Sequence, residues 1–136
     1  MKRYFAVWAL MLVVGFSAAS VQAGKGPYTL VNTNELQELI KKHDNLVLID
    51  SRGEKWFDGT VIKGAKNLSV VDTSAENLAK IVSAKDIPVV FYCSNVACKA
   101  SELAAYKASA AGYTNLYKYP DGIDVWVKAG LPVDAK

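Results

Sequence analysis

The chain has 136 residues, enough for one domain and not for two, with 51% of them hydrophobic and 21% charged. Its formal net charge of +3 comes without a Lys/Arg run or a basic helix face, which argues against nucleic acid as a partner. Two cysteines and one histidine are too few, at unsuitable spacing, for a zinc site, and no glycine-rich phosphate motif of the P-loop or dinucleotide kind is present.

Met1-Lys2-Arg3 is a basic start, Tyr4 to Phe16 is almost wholly apolar, and Ser17 to Ala23 is small and polar, ending Val21-Gln22-Ala23. That three-part pattern predicts a secretory signal over residues 1–23, cleaved after Ala23, and hence an exported, periplasmic protein. The apolar core is short for a membrane span, which needs about 20 residues, so no membrane association is expected after cleavage. A retained N-terminal anchor is the alternative. Cleavage takes away Lys2 and Arg3 and no acid, leaving 14 basic and 13 acidic residues and a net charge of +1.

Gly24 to Pro27 reads as a flexible lead-in. Asn32, with Glu35 three positions on, reads as a capping box for a helix with Leu36, Leu39 and Ile40 on one face, stopping at Lys41-Lys42-His43. Leu46 to Ile49 is a continuous apolar run, the mark of a strand covered on both faces, and it delivers Asp50-Ser51-Arg52 to its carboxyl end. Glu54 to Asp58 predicts a short helical turn carrying Trp56 and Phe57. Gly59 and Gly64 bracket a loop, and Asn67 to Val70 predicts a short strand. Thr73 with Glu76 reads as a second capping box, before a helix that buries Leu78, Ile81 and Val82. Ile87 to Tyr92 is a second buried strand, and Ser101 to Ala111 a helix stopped by Gly112. Asn115 to Tyr119 is a further strand, and Asp121 caps a last helix, Ile123 to Ala129, ended by Gly130 and Pro132. The alternation predicts an α/β domain with a central, mostly parallel sheet and helices on both faces.

Between the second buried strand and its helix lie Cys93, Ser94, Asn95, Val96, Ala97, Cys98 and Lys99. Ligands of open α/β sheets sit outside the carboxyl ends of strands. The N–H groups of a curled loop and of a helix N-terminus favour a thiolate there and hold an anion beside it. His43, at the end of the first helix, has no sequence reason to approach Cys93, which disfavours a Cys–His dyad. Lys99 either turns back over the loop or runs out into water. Arg52 either faces the same mouth or pairs with a carboxylate. Cys98 either condenses with an oxidised or persulfidated Cys93, or packs under the loop.

Five separated motifs resemble the rhodanese-like family. They are Leu48-Ile49-Asp50-Ser51-Arg52, the segment Phe57 to Asn67, Phe91-Tyr92-Cys93 with Lys99 and Ser101, Ala111 to Leu116, and Gly122 to Trp126 with Gly130-Leu131-Pro132. The resemblance implies a single rhodanese-like domain over residues 29–133 and a sulfurtransferase without a cofactor. Its partners would be a small anionic sulfur donor such as thiosulfate, a thiol or cyanide acceptor, and potentially a protein sulfur acceptor. It makes Cys93 the nucleophile and residues 94–99 its cradle, with Asp50 and Arg52 near the mouth. Thr60 stands in place of the usual histidine, and Asp121-Gly122 where two glycines are common. The loop from Cys93 to Lys99 counts seven residues, where six are usual for the sulfurtransferases. Seven resembles the phosphatase and arsenate-reductase branch, but lysine lacks the planar fork of the arginine that closes that loop. Thiol-redox chemistry through Cys93 and Cys98, or a non-catalytic binding module, are the other classes considered.

Overall fold

The computed structural model describes residues 26–136, so the predicted signal over residues 1–23 lies outside them. Two apolar runs set the architecture. Strand β2 (Val47–Asp50) and strand β5 (Val89–Tyr92) carry no polar residue but Asp50, and all four side chains of β5 are buried. Such strands need cover on both faces, which parallel βαβ connections supply. They form the middle of a five-stranded parallel sheet of order β1-β6-β5-β2-β4, with β1 Thr29–Leu30, β4 Lys66–Asn67 and β6 Leu116–Tyr119. The β2–β5 register runs from Val47↔Val89 to Asp50↔Tyr92.

Strand periodicity then splits the core in two. Ile49, Val89 and Phe91 face helices α2 (Ala75–Ile81) and α3 (Ala100–Ala110), meeting Leu78, Ala104, Ala105 and Ala108. Leu48, Val90 and Tyr92 face α1 (Thr33–Lys42) and α4 (Gly122–Lys128), meeting Leu36, Ile123 and Trp126. A buried side chain of this size contributes about 1.5–3 kcal/mol.

Helix α1 starts as predicted: Asn32 Oδ1 accepts from Glu35 N at 2.9 Å and Glu35 Oε2 accepts from Asn32 N at 2.8 Å. Of its predicted buried face only Leu36 is fully covered, and Ile40 is 37% exposed.

The second predicted capping box is displaced by one residue. Thr73 Oγ1 donates to Ser69 O, leaving Ser74 to cap α2 by accepting from Asn77 N. The loop predicted between Gly59 and Gly64 contains β3 (Thr60–Ile62), which pairs antiparallel with β7 (Val133–Ala135) near the chain's end. The strand predicted at Asn67 to Val70 is only β4, since Leu68 N and Val70 N donate to Asp50 O and Ser51 O as the chain leaves the sheet. Asp121 holds the N-cap position of α4, but its side chain makes no capping bond.

Candidate active site

Because the five sheet strands are parallel, the carboxyl ends of β2 and β5 lie side by side, at the edge where the chain breaks into the loops 51–59 and 93–99. His43 caps α1 just before β2 begins, at the opposite edge of the sheet, and has no route to Cys93.

The loop after β5 is shaped from outside by α4. Ile123 N donates to Cys93 O at 2.9 Å and Asp124 N to Ser94 O at 3.0 Å. Each trans peptide carries its N–H opposite its C=O, so these bonds turn the Ser94 and Asn95 N–H groups away from α4. The approach requires glycine at position 122. Its φ is +71°, and a Cβ there would lie 2.5 Å from both Cys93 O and Ser94 O. Asn95 folds the loop from inside. Its Oδ1 accepts from Ala97 N at 3.1 Å, its backbone O accepts from Cys98 N at 3.1 Å, and its Nδ2 donates to Asp124 Oδ2 at 2.9 Å.

Cys93 is 3% exposed and disulfide-bonded to Cys98, with the two Cα atoms 6.2 Å apart. Cys98 is half-buried and lines a cavity of about 380 Å³ together with Trp56, Ser94, Asn95 and Ala97. Trp56 is 67% exposed and belongs to this mouth, not to the core. Val96 is 70% exposed at the tip of the loop. Lys99 is exposed and occupies the N-cap of α3 without a side-chain capping bond.

Arg52 does not face the mouth. It is 3% exposed, and its guanidinium donates to both oxygens of Asp50, to Asp58 Oδ1 at 3.3 Å and to the Thr60 carbonyl. Phe57 lies under it, with the guanidinium carbon 5.2 Å from the ring centroid. Burial works against the Arg52 charge, but the hydrogen bonds and charge of Asp50, with Asp58 behind, outweigh it and hold the group more basic than usual. Asp50 lies buried in the same corner. Tyr92, the residue before the cysteine, accepts from Ile62 N at 3.0 Å; burial, followed by the Asp50 charge, raises its phenol pKa and keeps it neutral.

Ser51 was not singled out by sequence. Its N–H donates to Tyr92 O at 2.8 Å, which extends the β2–β5 register by one residue and sets Ser51 opposite Cys93. Strand alternation puts both side chains on the face of Ile49 and Phe91, towards α3. Ser51 Oγ is buried and is the sole such side-chain polar atom among the described residues without a hydrogen-bond partner.

The family model described as Rhodanese-like domain matches residues 32–129. Among solved structures, a protein from Bacillus halodurans superposes with a TM-score of 0.69 at 23% identity, covering 80% of this chain and 77% of its own. A rhodanese with anions from E. coli gives 0.54 at 24%, covering 67% and 99%. A thiosulfate sulfurtransferase from Pseudomonas aeruginosa gives 0.62 at 15%, covering 79% of this chain and 20% of its own. At these identities the likeness is one of fold.

Proposed function

This chain belongs to the rhodanese-like family, and from that premise we propose that it is a sulfurtransferase working through a Cys93 persulfide. The Cys93 thiolate attacks the outer sulfur of thiosulfate or a similar anionic donor. The donor's S–S bond breaks, sulfite leaves with the electron pair, and the sulfur stays on Cys93. Cyanide or a thiol then attacks that outer sulfur and restores the thiolate.

One observation carries the reading: a cysteine sits at the carboxyl end of the central strand, in a loop that runs into the uncapped N-terminus of α3. That helix end and the loop N–H groups favour the thiolate and the anionic donor together. Ser51 Oγ, opposite Cys93 with no other partner, supplies a donor for the thiolate or the persulfide once the cysteine is reduced. Lys99, exposed and without a planar fork, offers no bidentate grip on phosphate or arsenate, which supports sulfur transfer over the phosphatase branch.

The signal-like segment over residues 1–23 supports action outside the cytoplasm, on small anions and on thiol or protein acceptors. Amino-terminal sequencing of the protein recovered from a periplasmic fraction tests that placement, with Gly24 as the expected first residue. For the activity, the reduced protein is given thiosulfate and cyanide and thiocyanate is measured. Turnover that vanishes in Cys93→Ala is the expected result. A reduced, folded Cys98→Ser protein that, like wild type, makes none overturns the reading.

A further inference from the structure

We propose that Cys98 is a second catalytic cysteine, which resolves the Cys93 persulfide and turns the transferred sulfur into hydrosulfide. This rests on the persulfide reading of Cys93 and goes beyond it by assigning an internal acceptor and a required reductant.

The disulfide shows that the two sulfurs meet within the folded loop, and the 6.2 Å between Cα atoms is ordinary for such a bond. It is not placed to hold the fold together. With a sequence separation of 5 it closes so short a loop that little unfolded-chain entropy is removed. The loop is already fixed by other means, through Asn95, Asp124 and the two α4 N–H groups on Cys93 O and Ser94 O.

The chemistry follows from which sulfur is within reach. In the persulfide, the Cys98 thiolate attacks Cys93 Sγ, the same atom it is bonded to in the disulfide. A Cys93–Cys98 bond forms, the bond between Cys93 Sγ and the outer sulfur breaks, and hydrosulfide leaves with the electron pair. The sulfane sulfur is reduced to sulfide, and the two cysteines supply the two electrons. An external dithiol then returns the pair to thiols and becomes a disulfide itself, so thiosulfate and dithiol give sulfite, hydrosulfide and disulfide overall.

The two sulfurs also differ in access. Cys93 is 3% exposed, whereas Cys98 borders the cavity beside Trp56. The dithiol therefore attacks Cys98, and Cys93 departs as the thiolate that starts the next cycle. Reduction is an entry condition for the first turnover as well, since a disulfide-bonded Cys93 is no nucleophile.

The test loads reduced wild type and Cys98→Ser with one equivalent of sulfane sulfur, from thiosulfate and, separately, from inorganic polysulfide. After desalting, hydrosulfide release and the mass of the Cys93 peptide are followed without added thiol. Wild type is expected to release about one hydrosulfide per chain and to end as the disulfide, two hydrogens lighter than the dithiol. Cys98→Ser is expected to keep one extra sulfur and release no hydrosulfide, and added cyanide then removes that sulfur as thiocyanate; Cys98→Ala serves if the serine variant fails to fold. A wild type that keeps its persulfide as long as the variant overturns the proposal. Loading by polysulfide alone, followed by hydrosulfide release that needs Cys98, upholds the Cys98 role while overturning the thiosulfate reading. A Cys93 that takes sulfur from neither donor overturns both.

Discussion

Two strand ends lie next to each other in this sheet and are built in opposite ways. The end of β2 is closed by side-chain charge. Asp50 and Arg52 are buried together, the guanidinium meets Asp50, Asp58 and Thr60 O, and Phe57 lies under it. The end of β5 is held without charge at its centre, by backbone bonds and by the Cys93–Cys98 disulfide. The carbonyls of Cys93 and Ser94 are gripped by α4, and Asn95 supplies the side-chain ties. A saturated ion pair has no capacity left for a substrate. A loop whose carbonyls are taken, and whose Cys98 borders an open cavity, does. The first corner therefore acts as a bracket for the fold, and the second is the place where the proposed chemistry fits.

The comparison can be broken by mutation. Asp50→Ala leaves a buried guanidinium with only the exposed Asp58 carboxylate and backbone carbonyls for partners, and is expected to cost about 3 kcal/mol in urea unfolding. A loss under about 1 kcal/mol would mean that Arg52 escapes to solvent and that the bracket is not one. Gly122→Ala forces a Cβ against two backbone carbonyls at positive φ, for about 2 kcal/mol or more of stability, and sulfur transfer falls with it because the loop is displaced. If its unfolding midpoint matched wild type, the grip of α4 on the loop would not matter as described.

Asn95→Ala sharpens the contrast, since it removes loop ties at an exposed position. About 1 kcal/mol of stability and a several-fold drop in thiocyanate formation are expected, and equal activity would demote Asn95 to ornament. Asp58→Asn is the smallest change, because that carboxylate is 66% exposed on its side chain. The Thr60 N–H, then Arg52, lower its pKa against a small opposing effect of burial. The stability it lends is present above its unfolded value near 3.8 and is lost as the pH falls towards the lower folded value. Acid titration of Asp58→Asn should lack that slope and otherwise match wild type within about 0.5 kcal/mol.

Much of the fold could be read in the sequence because its signals are local. The Asn32–Glu35 box, the two apolar strands and the strand–cysteine–helix order each lie within a dozen residues. The pairing of β3 with β7 could not, since it joins segments about seventy residues apart with weak patterns. Thr73 and Ser74 both suit a cap, and the bond from Thr73 to Ser69 O decides between them. Of the two readings of Arg52, only the family resemblance favours the mouth, and the local spacing favours the pairing observed. Positions 50 and 52 share a face, so an Asp and an Arg there can pair with each other. Gly122 and Ser51 lie within motifs, but no local pattern tells what either does. Their importance comes from what approaches them in space, a pair of loop carbonyls and the Cys93 strand.

The most direct measurement is peptide mass spectrometry of the protein after reduction, removal of reductant and a brief exposure to thiosulfate, with Cys98→Ser run beside wild type so that the persulfide is held. One extra sulfur on the Cys93 peptide, discharged by cyanide and missing in Cys93→Ala, is the predicted result. An unmodified Cys93 peptide in a reduced, folded Cys98→Ser protein would contradict the account.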